Sequence, residues 1–302
     1  MDRPHLIIDG NFFLHLAIPY GSRDGVGPHT SSYNFFASLA QWSTRYAARS
    51  ISVCWDGGGF PEKRLRLYPD YKANRILTHS SDRERERHQD FVRNRQFLQE
   101  LLPSLGVRQI AVPNFEADDI IFGMSRIETI NAIIISGDMD LAQLVGPVVS
   151  WLAPGKERIH LGNMTTMVLD DTYDIRPRKP SDIVGFKAMR GDRSDNIRPI
   201  VKPKNVCAVW NKLASANLDA TPENIRKVGL DLGLQIPDTL ETYFELVDLA
   251  RSGVAGQAIG YAIQMMSSSS KINESKVFEK FVAVGIQPGY LHRHTPSYFY
   301  LS

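Results

Sequence analysis

Cysteine is nearly missing. The 302 residues hold two, Cys54 and Cys207, far apart and in no CxxC spacing. That argues against a disulfide framework and a zinc–thiolate site, and makes a reducing compartment the default. Long apolar runs are missing as well: none reaches the length of a membrane span. The N-terminus lacks the cationic start of a secretory signal, and Asp9 and His15 interrupt its apolar stretch. A cytoplasmic protein with no membrane partner is expected. Charge of one sign is scarce too, with a formal net charge of +2. Whole-chain charge therefore does not announce an anionic partner, and its distribution has to be read instead. There is no HExxH, no nucleophile elbow and no Walker A motif, and Pro154-Gly155-Lys156-Glu157 reads as a surface turn.

What is present supports a sizeable core, since 43% of the residues are apolar. Leu6 to Ile8, Ile51 to Trp55, Val107 to Val112 and Ala132 to Ile135 are continuous runs rich in Ile and Val, as parallel strands covered on both faces should be. Helix-length segments such as Tyr33 to Arg49 and Glu116 to Ile127 lie between them. The alternation predicts an α/β domain with a mainly parallel sheet flanked by helices, over residues 1–170. From 171 to 302 the chain is punctuated by Pro177, Pro180, Pro199, Pro203, Pro222 and Pro237, and a helical C-terminal region is expected. Ser267 to Ser270 reads as a polar loop.

Acidic residues follow these strands. The first runs into Asp9-Gly10-Asn11, the second into Asp56-Gly57, and the fourth into Asp138-Met139-Asp140. In an open α/β sheet, ligands bind beyond the carboxyl ends of the strands. Glu116-Ala117-Asp118-Asp119 opens a helix, and Asp192 and Asp195 fall in Gly191-Asp192-Arg193-Ser194-Asp195-Asn196. Singly, each has a plain structural reading: Asp9 before glycine is a turn, and Glu116 to Asp119 suit a helix N-terminus. Together they would repel one another unless cations held them ionised. An oxygen-rich set without nearby Cys or His favours Mg²⁺ or Mn²⁺. Two such ions about 4 Å apart stabilise an in-line displacement at phosphorus.

Residues 63 to 95 hold ten Lys or Arg against five Asp or Glu. Within them, Lys72 and Arg75 would share a helix face, and Tyr71 would be placed to stack on a base. The alternating run Asp82 to Arg87 reads first as a salt-bridged exposed helix; lacking an apolar stripe, it would be mobile until a substrate orders it. Some fifty residues separate Asp56 from Val107, where a parallel crossover needs about a dozen. A large excursion over roughly 60–100 must therefore leave the sheet edge.

The motif order is specific. Ile8-Asp9-Gly10-Asn11, Trp55-Asp56-Gly57, Tyr71-Lys72-Ala73-Asn74-Arg75, Phe115-Glu116-Ala117-Asp118-Asp119, Gly137-Asp138-Met139-Asp140-Leu141 and Gly191-Asp192-Arg193-Ser194-Asp195-Asn196-Ile197 cover the first two-thirds of the chain. In this it resembles the 5′-nuclease superfamily of flap endonucleases and 5′→3′ exonucleases, and most closely its bacteriophage exonuclease/RNase H branch. The resemblance implies a PIN-like core. It implies that Asp9, Asp56, Glu116 and Asp118 surround one metal, and that Asp138, Asp140 and Asp195 surround or orient a second, with Asp119 and Asp192 in support. It further implies that Lys72 and Arg75 contact the scissile phosphate at the base of an arch or clamp formed by roughly residues 60–100, through or under which a single-stranded 5′ end would pass.

The family then carries a helix–hairpin–helix element with a Gly-x-Gly hairpin. Here the corresponding run is Ile197-Arg198-Pro199-Ile200-Val201-Lys202-Pro203-Lys204, a divergent form without those glycines. Arg198, Lys202 and Lys204 stand between two readings: side-chain phosphate contacts, or a proline-stiffened loop with solubilising charge. The expected activity is a two-Mg²⁺ (or Mn²⁺) 5′→3′ exonuclease and flap endonuclease with RNase H activity, removing primers or flaps in replication. Its partners would be DNA with a 5′ flap or nick, an RNA–DNA hybrid and replication proteins; the chain would be monomeric, and its site the host cytoplasm if phage-encoded. The rivals are a single-stranded PIN-type ribonuclease, a non-catalytic DNA-structure-binding protein, and an Asp-x-Asp phosphatase, which Leu141 disfavours by standing where a Thr should follow.

Overall fold

The structure is a computed structural model, and it describes residues 3–18, 28–73, 81–127, 130–268 and 271–285. Five strands form one parallel sheet: β1 (His5–Asp9), β2 (Ser50–Asp56), β3 (Arg108–Val112), β4 (Ala132–Ile135) and β5 (Val149–Leu152), in the order β3-β2-β1-β4-β5. Register aligns Ile8 with Val53 on one side and with Ile135 on the other. The expected α/β, PIN-like architecture is present. The strand β5, which follows Gly146-Pro147, went unread in the sequence because Ser150 breaks its short apolar run.

Side chains alternate across the sheet, as a period of two requires. Ile7, Cys54 and Ile134 face one buried cluster, and Leu6, Ile8, Val53, Trp55, Ile133 and Ile135 face the other. Helices α1 (Gly10–Ala17), α2 (Thr30–Arg45), α4 (Asp82–Leu101) and α11 (Glu274–Ala283) contribute buried residues to the second cluster. The short α3 (Glu62–Leu67) and helix α5 (Ala117–Ser125) begin the opposite side. Then come α6 (Asp182–Arg190), α7 (Pro203–Ser215), α8 (Pro222–Asp231), α9 (Thr239–Val247) and α10 (Ala255–Ser267), whose buried residues join the cluster holding Ile7 and Ile134. The described residues after 170 are mainly helical, and the core of α6 to α10 is continuous with that on one face of the sheet. Among the described residues no helix is long and apolar enough to cross a membrane.

One expectation for the excursion holds and one changes. Asp82 to Arg87 is an exposed, ion-paired helical run that opens the twenty-residue α4. Ser81 caps Glu84 N while Glu84 returns to Ser81 N at 3.1 Å, so orphan donors are satisfied at both ends of a capping box. The apolar stripe arrives later in the same helix, where Phe91, Leu98 and Leu101 are buried. Lys72, in turn, is not helical. It takes φ 54° in the turn after Tyr71, a left-handed conformation that costs a non-glycine residue about 1 kcal/mol or more and persists only where neighbours fix it. Arg75 lies outside the described residues.

Candidate metal centre

Strand order places β1 between strands that lead away in both directions, so the chain reverses between β1 and β4. At such a switch point the strand ends leave a crevice. Asp9 ends β1 and caps α1, its Oδ1 accepting from Phe12 N at 3.0 Å. Its Oδ2 accepts from Ser136 Oγ, just past β4, at 2.8 Å. Ser136 Oγ also accepts from Asp138 N at 3.0 Å, so one hydroxyl joins the acids of two strands across the switch.

Asp56 ends β2. Its Oδ1 accepts from Ala117 N at 2.8 Å, the first turn of α5, and its Oδ2 accepts from Asn11. The turn after it is tight: a Cβ at Gly57 would fall 1.7 Å from the Val112 carbonyl oxygen. Only glycine lets β2 and β3 end side by side here. Asp9, Asp56, Glu116, Asp118, Asp138 and Lys72 therefore line a single cavity of about 590 Å³.

The acidic opening of α5 divides its labour. Glu116, at the N-cap, accepts from Lys72 Nζ, from Arg64 Nη1 and from the Tyr71 hydroxyl at 3.0 Å. Asp119 turns away from the cavity. It takes Arg64 in a fork, 3.0 Å from Nη2 and 3.2 Å from Nη1, and returns to Glu116 N at 3.0 Å. Asp118 stays on the cavity, where its Oδ1 is buried without a hydrogen bond and only approaches Arg64 Nη1, at 3.8 Å. Oxygen atoms of Glu116, Asp118 and Asp119 lie within 4.8 Å of one another.

A second group gathers beside the first. Asp138 Oδ1 accepts from Asp140 N at 2.9 Å. Asp140 and Asp192 both reach Lys187 Nζ, Asp192 at 2.5 Å. Asp195 lies 3.4 Å from Lys72 Nζ, and its backbone carbonyl accepts from Lys72 N at 3.0 Å. Oxygens of Asp140, Asp192 and Asp195 come within 4.8 Å. The turn bearing Asp192 and Asp195 is set by Gly191 at φ 72°, which ends α6, and by an antiparallel bridge between Asp192 and Ile197.

Electrostatics reflect this crowding. Burial first, then Asp56 and Asp138, push the Asp9 carboxyl up to about 7. Burial pushes Asp140 up to about 7 as well, against the pull of Lys187. Burial also raises Asp118 well above the usual range, only partly countered by Arg64. Glu116 ends lowered, because Lys72 and Arg64 outweigh the effect of its burial. Nine carboxylates here meet three buried cations, Arg64, Lys72 and Lys187. Hard divalent cations fit such a site: every donor is oxygen, and Asp118, which lines the cavity, keeps one buried oxygen, Oδ1, without a hydrogen bond.

Every acid singled out in the sequence falls in or beside this cluster, though in a different grouping from the one expected. Asp192 sits with Asp140, and Asp119 belongs to Arg64. Tyr71 is 3% exposed, too buried to stack on a base; its ring packs edge-on against Phe60 and its hydroxyl serves Glu116. Arg198, Lys202 and Lys204 are exposed, Arg198 on the α6–α7 connection, Lys202 at the N-cap position of α7 and Lys204 in its first turn. Sequence reading missed Arg64, Lys187 and Ser136. A lone cation in a helical pattern carries no local mark of the carboxylates it will meet.

Residues 4–172 match the family described as the 5′-3′ exonuclease N-terminal resolvase-like domain. DNA polymerase I of Mycobacterium tuberculosis is 31% identical over 201 residues, covering 64% of this chain and 21% of that protein. Thermostable DNA polymerase I of Thermus thermophilus is 31% identical over 212 residues, 66% of this chain and 23% of its own length. The chain thus spans about a fifth of these relatives. In fold it is similar to the flap endonuclease of bacteriophage T5 in complex with DNA and metal ions: TM-score 0.64, 19% identity, 94% of this chain and 100% of that one. The T5 5′-exonuclease with bound zinc gives a TM-score of 0.61 at 19% identity, over 99% of each chain.

Proposed function

Because the chain belongs to the 5′-3′ exonuclease N-terminal resolvase-like family, we propose that it hydrolyses phosphodiesters at or near 5′ ends, as a 5′→3′ exonuclease and flap endonuclease that also cuts RNA from RNA–DNA hybrids. The observation that carries the reading is the convergence of Asp9, Asp56, Glu116, Asp118 and Asp138 on one cavity at the sheet's switch point. A pair of Mg²⁺ or Mn²⁺ ions, when bound, would activate the attacking water and offset charge on the leaving oxygen.

Asp9, Asp56, Glu116 and Asp118 would hold the first ion. Asp138, Asp140, Asp192 and Asp195 would hold or orient the second. Asp119 supports the first group through Arg64 and Glu116 rather than as a ligand. Lys72, fixed by its backbone bond to Asp195 and lining the cavity, would meet the scissile phosphate. Arg75, three residues on, would assist it. The 171–302 region would grip duplex, with Arg198, Lys202 and Lys204 on phosphates. The excursion at 60–100 would guide a single-stranded 5′ end past Lys72. A monomer in the cytoplasm, clearing primers or flaps in replication, fits this chemistry.

The test compares labelled 5′ flap, nicked duplex, RNA–DNA hybrid and single-stranded RNA in Mg²⁺. Cleavage of the first three from the 5′ side supports the proposal. Cleavage of single-stranded RNA alone would replace it with a PIN-type ribonuclease, and binding without cleavage would leave a DNA-structure-binding protein.

A further inference from the structure

Lys187 has no part in the chemistry described above, yet it occupies the middle of the second carboxylate group. It projects from α6, whose Ile183, Val184, Phe186, Ala188 and Met189 are buried, so its stem starts from a fixed helix. Its side chain is 12% exposed, and its Nζ contacts Asp140 and, at 2.5 Å, Asp192. The first group has cations of its own, Arg64 on Glu116 and Asp119 and Lys72 on Glu116. In the second, Lys187 bridges two acids from different parts of the chain.

We propose that Lys187 is a built-in counter-cation of the Asp140–Asp192 pair, which keeps that group assembled without metal and lowers its affinity for a divalent cation. The inference rests on the metal-dependent reading above. Buried acids at this spacing repel one another, and an ammonium between them removes that repulsion. A divalent ion arriving at the same oxygens meets a like charge a few ångströms away, or must displace it. Either way its binding at the Asp140 group is weakened.

The experiment is Mn²⁺ binding to the full chain, followed by the paramagnetic resonance of free ion. The unaltered protein, Lys187→Met, Lys187→Gln and the charge-keeping Lys187→Arg are compared. In both neutral variants the second group's site should tighten by roughly tenfold or more relative to the unaltered chain, about 1.4 kcal/mol, with the first group's site unchanged. Lys187→Arg should leave both sites near their original affinities. The metal-free neutral variants should also unfold at a lower temperature than the unaltered chain, and saturating Mn²⁺ should close that gap. A second site that is unchanged or weaker in the neutral variants overturns the proposal. If those variants do not fold without metal, the proposal requires Mn²⁺ to restore folding, and failure to do so overturns it equally. A chain that binds no Mn²⁺ at all contradicts the nuclease reading itself, which is a separate and recognisable result.

Discussion

The Asp119 carboxylate lies 3.0 Å from Arg64 Nη2, turned away from the cavity that its neighbour Asp118 lines. Two adjacent acids on one helix thus do different work: Asp119 locks a buried guanidinium under Glu116, and Asp118 is left to face the cavity. Arg64 is 1% exposed, and removing one partner of a buried pair strands the other, at a cost of about 3–5 kcal/mol. Arg64→Met and Asp119→Asn should therefore lower the denaturant midpoint strongly. Asp118→Asn should not, because it removes a buried charge that no hydrogen bond compensates at Oδ1. Equal destabilisation by all three would contradict the division.

Asp118→Asn and Asp138→Asn should reduce single-turnover cleavage by about 10²-fold or more while duplex affinity persists, since the ions they hold act mainly in the transition state. Cleavage rate and binding measured on the same flap substrate separate the two effects. Near-normal turnover in both variants at saturating Mg²⁺ would remove these residues from the centre.

Metal binding should depend on pH near neutrality. Asp9 and Asp140 are pushed up to about 7. A carboxyl whose folded pKa exceeds its unfolded value takes up a proton on folding. Its contribution to the stability of the metal-free protein is therefore complete below about pH 4 and is lost as pH rises through 7. The ion requires the ionised form, so the two effects oppose each other: the metal-free chain loses stability across this range while its affinity for Mg²⁺ grows. Apparent affinity should rise from about pH 6 to 8 and then level, with proton release on binding near pH 6.5. Calorimetry in buffers of different ionisation enthalpy reads that release, and its absence would contradict the assignment.

Duplex affinity should fall steeply with salt, with a log–log slope of about −0.9 for each phosphate contact. Replacing Lys202 and Lys204 together by Ala should make the slope shallower by about one to two units. An unchanged slope would return the α6–α7 connection to the reading of a solvated, proline-stiffened loop.

The sheet and the acids at its edge were legible because each carries its own local signal. Leu6 to Ile8 and Ile133 to Ile135 are continuous apolar runs, with Asp9 directly after the first and Asp138 three residues after the second. The alternating charges from Asp82 to Arg87 were legible as an exposed, ion-paired helix. Tyr71 was misread because an aromatic residue beside Lys72 in a basic stretch suggests a surface, whereas its burial is made by Phe60 and by groups brought in from α5 and the turn after α6. Lys187 and Arg64 had no signal at all. Their partners lie 47 and 52 residues away in sequence, at Asp140 and Glu116, and only the fold joins them.

The central claim is that these carboxylates hold divalent ions that cleave a 5′ end. It is tested most directly by a 5′-labelled flap incubated with chelated protein, to which Mg²⁺ is then returned. The account predicts no cleavage in EDTA, full return of short 5′ products with Mg²⁺, and no return in Asp118→Asn under the same conditions. Cleavage that persists in EDTA, or that Asp118→Asn recovers to the level of the unaltered chain, would contradict it.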